Sequence, residues 1–248
     1  MKNIFAASLV FVLVFVLAVG CDPKKETLDA KLISDYYPLK VGTSLLYRLD
    51  STVRAPSGTE LIVRSYQAKD SVESTFFDNE GRQSFRVFRF IRNVSGTQPW
   101  QFAATFFVTP TQKSVEYVDN NLRFIKLVSP IRNNYTFKAH SYIQADPGTS
   151  QFSYLYDWEY EYQKVNEPYK VGNTTFDSTV TVFQQDETFP EGPFNPSLAA
   201  QIRTYGVEVY AKGVGLIFKE FLYWNWQRNP PPPKFEEASY GIKLTLLK

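Results

Sequence analysis

The chain holds one cysteine, one histidine and one methionine in 248 residues. A lone cysteine excludes an internal disulfide, and a classical zinc site needs several Cys, His or carboxylate ligands in close array. No metal or cofactor is therefore expected. A Ser-His-Asp device would have to use His140, in Phe137-Lys138-Ala139-His140-Ser141-Tyr142. Ser141 points to the opposite face of any strand drawn through that segment. No Gly-x-Ser-x-Gly elbow occurs either. Gly213-Val214-Gly215 runs into the strand-like Leu216 to Tyr223, whereas a phosphate loop needs a helix N-terminus at that point. The glycines read instead as a tight turn or bulge. An excess of one charge is missing too, with 27 basic and 25 acidic residues. A nucleic-acid partner would call for a clustered basic surplus, so none is expected.

Long apolar runs are absent, with one exception. Lys2 gives a positive start, no residue from Asn3 to Gly20 is charged, and Ile4 to Val19 is almost unbroken apolar. Ala18-Val19-Gly20 are the small or compact residues that precede a signal-peptidase cut, and Cys21 follows. The arrangement resembles a bacterial lipoprotein signal, in which such a cysteine is acylated and becomes the mature N-terminus. Leu17 lies four residues before the cysteine, where these signals usually place a leucine three before. The alternatives are an uncleaved transmembrane helix, for which about 17 apolar residues is the lower limit, and an ordinary secretory peptide. The expected organisation is a signal peptide over 1–20, a lipidated tether over 21–34 and a β-domain over 35–248. Buried acyl chain contributes about 0.8 kcal/mol per CH₂, so a multiply acylated Cys21 keeps the domain at a membrane. The expected location is the cell envelope, at the outer membrane, facing either the periplasm or the exterior.

What is abundant is aromatic: 21 Phe, 16 Tyr and 4 Trp, a strand-forming composition alongside Val, Ile and Thr. Pro38 and Gly42 bracket a turn before the alternating Ser44 to Leu49. Thr59 to Val94 reads as a long hairpin turning at Asp78-Asn79-Glu80-Gly81. On its return strand Phe85, Val87, Arg89 and Ile91 share one parity and Arg86, Phe88, Phe90 and Arg92 the other, so neither face is cleanly polar. Gln101 to Val108, Ser114 to Val118 and Leu122 to Val128 follow as shorter strands with close turns. Pro190 to Pro196 is a proline-rich loop, Ser197 to Arg203 is the one helix of note, and Asn229 to Lys234 is a polyproline segment before a closing strand from Tyr240. The pattern predicts an all-β domain with little helix: one antiparallel, strongly curved sheet or partly closed barrel of about 10–13 strands.

Tyr36-Tyr37-Pro38-Leu39-Lys40-Val41-Gly42 at the start resembles the opening of uncharacterised outer-membrane lipoproteins of Bacteroidetes-type bacteria. Tyr210-Ala211-Lys212-Gly213-Val214-Gly215-Leu216-Ile217-Phe218-Lys219-Glu220 is similar to their closing motif, and Val171 to Phe176 fits between. Leu45-Leu46 stands where a tryptophan is usual. The resemblance implies a lipid-anchored all-β protein, like the open half-barrel of lipoprotein carriers, and implies no activity.

Two aromatic stretches are the candidate ligand-binding residues. Phe152, Tyr154, Tyr156, Trp158, Tyr160 and Tyr162 occupy every even position from Gln151 to Gln163, with Asp157, Glu159 and Glu161 among the odd ones. Drawn as a strand, this sets six rings on one face and three acids on the other. The rings are either the inward face of a sheet or a platform for a glycan or an apolar tail. Tyr223, Trp224 and Trp226 end a strand beside the polyproline loop, either as core or as an exposed contact surface. These signs favour a non-catalytic module binding a hydrophobic ligand or glycan. An accessory lipoprotein that docks a protein partner is second. A glycan-acting enzyme using carboxylates about 7 Å apart on one strand is third.

Overall fold

The computed structural model describes residues 33–146, 148, 152–156, 158–229 and 231–247; the apolar run, Cys21 and the tether up to residue 32 lie outside them. Ile33 and Ser34, assigned to the tether on sequence, belong to a helical turn, α1 (Ile33–Tyr36), whose Ile33 and Tyr36 are buried. Thirteen strands follow. The first six are β1 (Ser44–Arg54), β2 (Leu61–Phe77), β3 (Gln83–Asn93), β4 (Gln101–Pro110), β5 (Ser114–Asp119) and β6 (Leu122–Val128). Beyond the short β7 (Thr136–Phe137) come β8 (Tyr160–Val171), β9 (Thr174–Phe189), β10 (Ala200–Ala211) and β11 (Gly215–Gln227). The short β12 (Lys234–Phe235) and β13 (Tyr240–Leu246) close the set.

All pair antiparallel in one sheet ordered β6-β5-β4-β3-β2-β1-β13-β11-β10-β9-β8-β7, with β12 beside β11. The sheet is nearly closed into a barrel with one unsealed seam, and about 3% of the described residues are helical. This is the expected class. Register shifts in six of the pairings add local twist and bend, which a sheet of this width needs in order to curl round. Asn120 and Asn121 both have positive φ and form the two-residue turn between β5 and β6, the geometry asparagine tolerates best after glycine.

The seam lies between β6 and β7 and is stitched by single bonds. The Ile125 amide donates to the Ala139 carbonyl at 2.6 Å. The Tyr162 hydroxyl donates to the Val128 carbonyl at 2.8 Å and accepts from the Val128 amide at 2.5 Å.

Two sequence expectations are corrected here. Ser197 to Arg203 is not a helix: the segment turns at Asn195–Leu198 and enters β10 at Ala200. Sheet pairing on both sides, with Gln227 opposite Ala200 and Phe189 opposite Ile202, outweighs local helix preference. The buried Gln201 amide instead organises the proline loop, bonding Asn195 and the carbonyls of Pro190 and Pro193. Gln151 to Gln163 is not one strand either. Ser153–Leu155 is a 3₁₀ turn, and the chain joins the sheet only at Tyr160. Its neighbour β7 has two residues, so upstream of Tyr160 that flank offers no ladder, and the segment gains more by burying its rings across the barrel end.

Candidate binding cavity

Inward-facing positions alternate along each strand and meet across the register. Leu45, Tyr47 and Leu49 on β1 stand opposite Asp70, Ala68 and Tyr66 on β2. Val87, Arg89 and Ile91 on β3 continue that face through Val72, Asp70 and Ala68. Charged residues thus sit on the face that is otherwise apolar. They line a cavity of about 450 Å³ inside the barrel, within the range of small-ligand pockets. At one end its walls are the exposed Pro38, Lys40, Thr43 and Ser44 together with the Gly213–Leu216 turn. α1 is fixed to that turn: the Gly213 amide donates to the Asp35 carbonyl at 2.6 Å, and Lys212 pairs with the Asp35 carboxylate at 3.3 Å. Gly213 has φ 75° there, the left-handed conformation glycine adopts without strain.

Further in, the walls are apolar, from Val72, Val87, Phe106, Val108, Ile242 and Leu244. Two ion clusters interrupt them. Arg89 donates to both oxygens of Asp70 at 2.6 Å, and its guanidinium lies 4.7 Å from the centre of the Phe106 ring. Glu208 is 1% exposed. Its Oε1 accepts from Lys126 Nζ at 2.7 Å and lies 3.4 Å from Lys219 Nζ, while its Oε2 accepts from the Tyr210 hydroxyl at 2.6 Å. Burial alone would raise the Glu208 carboxyl; the two lysines and the tyrosine bond hold it down to about 2. Burial, aided by the Lys126 charge and opposed by Glu208, lowers Lys219 to about 8. Asp119 also lines the cavity, its carboxyl pushed up by burial against the pull of Lys219, Arg89 and Lys126. Tyr37, Tyr47, Tyr117 and Tyr210 are raised, first by burial, so their phenols stay protonated; Tyr47 donates to the Leu216 carbonyl at 2.8 Å and Tyr210 to Glu208.

None of the nine predicted aromatic residues lines this cavity. Trp158, Tyr160 and Tyr162 are buried in the main core, Trp158 being 3% exposed. Tyr154 stacks on Tyr223 at 4.8 Å, Trp158 lies 6.2 Å from Phe221, and Phe221 lies 5.0 Å from Tyr240. Phe152 packs at the edge of that core, and Tyr156 alone is largely exposed, at 49%. Trp224 and Trp226 are buried with Phe235 beneath Phe194 of the proline loop, not displayed as a contact surface. His140 is buried, its imidazole lowered first by burial against the raising effect of the Tyr156 backbone, and its Nδ1 has no hydrogen-bond partner among the described residues. Among the described residues no group of three or more His, Cys, Asp or Glu could hold a metal ion.

Arg89, Glu208, Lys219, Lys126, Asp70 and Tyr210 are not among the candidate site residues of the sequence; Arg89 appears there only in a mixed strand, and Tyr210 and Lys219 only in the closing motif. The available signal was a charge on an apolar parity, as in Val87-x-Arg89-x-Ile91.

No family model matches the chain, and no curated protein matches it. Among solved structures it is similar to a protein of Bacteroides fragilis described as exported and as having a YMCC-like fold. The identity is 12%, covering 86% of this chain and 99% of the other, with a TM-score of 0.31. So low a score carries nothing about chemistry.

Proposed function

We propose that this chain is an exported, lipid-anchored, non-catalytic binding protein whose barrel cavity takes up an apolar chain. The observation that carries the reading is the cavity itself: open at the α1 end and walled by Val72, Val87, Phe106, Val108 and Leu244. Apolar surface left facing solvent inside a fold is costly, and an apolar ligand relieves that cost at about 25 cal/mol per Å² buried. The signal-like opening and Cys21 support export and anchoring, and glycan remains the alternative ligand because tyrosine hydroxyls line the inner wall. Catalysis is the weaker reading: both oxygens of Glu208 are engaged, so neither is free to act as nucleophile or base.

A protein-docking role draws on a different surface, the outer face of β3 and β4. There Phe88, Phe90 and Phe102 meet edge to face, and Phe102 is 60% exposed. Such a patch marks an interaction site when it is contiguous.

The test is mass spectrometry of protein purified from its own host. A lipid or other apolar molecule released by solvent extraction, and Cys21 acylated at the mature N-terminus, are expected. Ligand-free protein with a stoichiometric protein partner overturns the cavity reading in favour of docking, and an unmodified Cys21 overturns the anchor.

A further inference from the structure

We infer that the apolar chain held in the cavity carries an acidic head, a carboxylate or phosphate, bound by the ammonium of Lys219. The inference rests on the cavity reading and specifies the ligand's class. It follows from which charges at the inner wall are already answered. Arg89 is paired bidentately with Asp70, through Nε and Nη2, each at 2.6 Å, so its charge is answered. Lys126 donates to Glu208 Oε1 at 2.7 Å and lies over the Tyr117 and Phe124 rings at 5.2 and 5.6 Å. The second oxygen of Glu208 belongs to Tyr210. Lys219 is left at 3.4 Å from an oxygen that a closer ammonium already holds. Two cations thus share one carboxylate; both line the cavity, and Lys219, the more exposed of the two, has the poorer contact. An incoming oxyanion gives Lys219 a short charge-assisted bond without displacing Lys126, Arg89 or Tyr210. The lowered basicity of Lys219 comes first from burial and then from the Lys126 charge, with Glu208 opposing; an oxyanion bound beside it would act in the same direction as Glu208.

Asp119 opposes this, because its carboxyl lines the same wall and draws on the same cations. That makes it a second probe. A head competing with Asp119 for Lys219 binds better once Asp119 is neutral, whereas a head that never reaches Lys219 is indifferent to it.

The experiment is calorimetric titration of the full chain carrying Cys21→Ser with palmitate, palmitoyl lysophosphatidate and hexadecanol, repeated on Lys219→Met and Asp119→Asn. Hexadecanol has the chain without the acid, and the first two separate a carboxylate from a phosphate head. Expected is a preference for one acidic ligand over hexadecanol of about tenfold or more, the size of one charged hydrogen bond. Lys219→Met should abolish that preference with hexadecanol binding changed less than about threefold, and Asp119→Asn should increase it. Glu208 keeps Lys126 in Lys219→Met, so the fold has no unpaired buried carboxylate. Equal binding of all three ligands, or a preference that survives Lys219→Met, overturns the inference and leaves the cavity reading standing. Failure of all three to bind overturns both.

Discussion

One core runs through the barrel, and its aromatic residues behave oppositely in two regions of it. Around Trp158, Tyr160 and Tyr162 the rings pack on one another and on Phe221 and Phe137, leaving a closed core. Around Tyr37, Tyr47, Tyr117 and Tyr210 the same residue type lines an open cavity. Tyr37 and Tyr210 are 5.7 Å apart, as close as many core pairs, so ring density does not separate the two. Charge does. Asp70, Arg89, Lys126, Glu208 and Lys219 all line the cavity, and an ion needs partners at fixed distance and direction. Rings still pack against them, Phe106 on Arg89 and Tyr117 on Lys126, but the ion pairs hold these side chains to their partners rather than to a filled core. Aromatic richness alone does not mark the cavity in this barrel; charges placed on an apolar strand face do.

The sharpest break is in the closed core. Trp158→Ala removes a buried ring and leaves a hole, and is expected to cost about 3–5 kcal/mol in urea unfolding. A loss below about 1 kcal/mol would mean the segment does not seal the barrel.

At the charged end, Glu208→Gln leaves Lys126 and Lys219 without their carboxylate and is expected to cost about 3 kcal/mol. The pH profile sharpens this. Glu208 is held at about 2, below its ordinary 4.5, so its contribution is full above pH 4.5 and fades as pH falls toward 2. Lys219, lowered from 10.5 to about 8, acts in another window. Between those values the unfolded chain binds more protons than the folded one, so stability rises with pH. The gap between the stability curves of wild type and Glu208→Gln should be full above pH 4.5 and should close as pH falls toward 2. Parallel curves through acid would place the carboxylate outside any ion pair.

Smaller still is the seam. Tyr162→Phe removes the hydroxyl that both accepts from and donates to Val128, expected to cost about 1–3 kcal/mol as two backbone groups lose a partner. Faster hydrogen exchange at Val128 and Ile125 should accompany it. Unchanged exchange would show that the seam is held elsewhere.

Much of the fold was legible because its signals are local. The Asp78–Gly81 turn, the Asn120-Asn121 turn and the parity of Leu45, Tyr47 and Leu49 each follow from a few adjacent residues. Phe152 to Trp158 misled because alternation is necessary for a strand but does not supply a neighbour to pair with, and β7 ends after Phe137. Ala199-Ala200-Gln201 misled for the converse reason, since helix-favouring residues were recruited by β9 and β11. The cavity was illegible as a site because Lys126 and Glu208 are joined across the whole barrel, a distance no spacing rule spans. Arg89 carried a visible sign, being charged between Val87 and Ile91, and only the register showed that Asp70 answers it.

The central claim is that the cavity, not the aromatic segment, takes the ligand. Titration of a fluorescent fatty-acid probe into the wild type, Leu45→Trp at the cavity wall and Tyr156→Ala on the exposed part of the aromatic segment tests it most directly. The account predicts saturable one-to-one binding that Leu45→Trp abolishes, with unfolding still cooperative, and that Tyr156→Ala leaves unchanged. Binding that survives Leu45→Trp and is lost in Tyr156→Ala would contradict it.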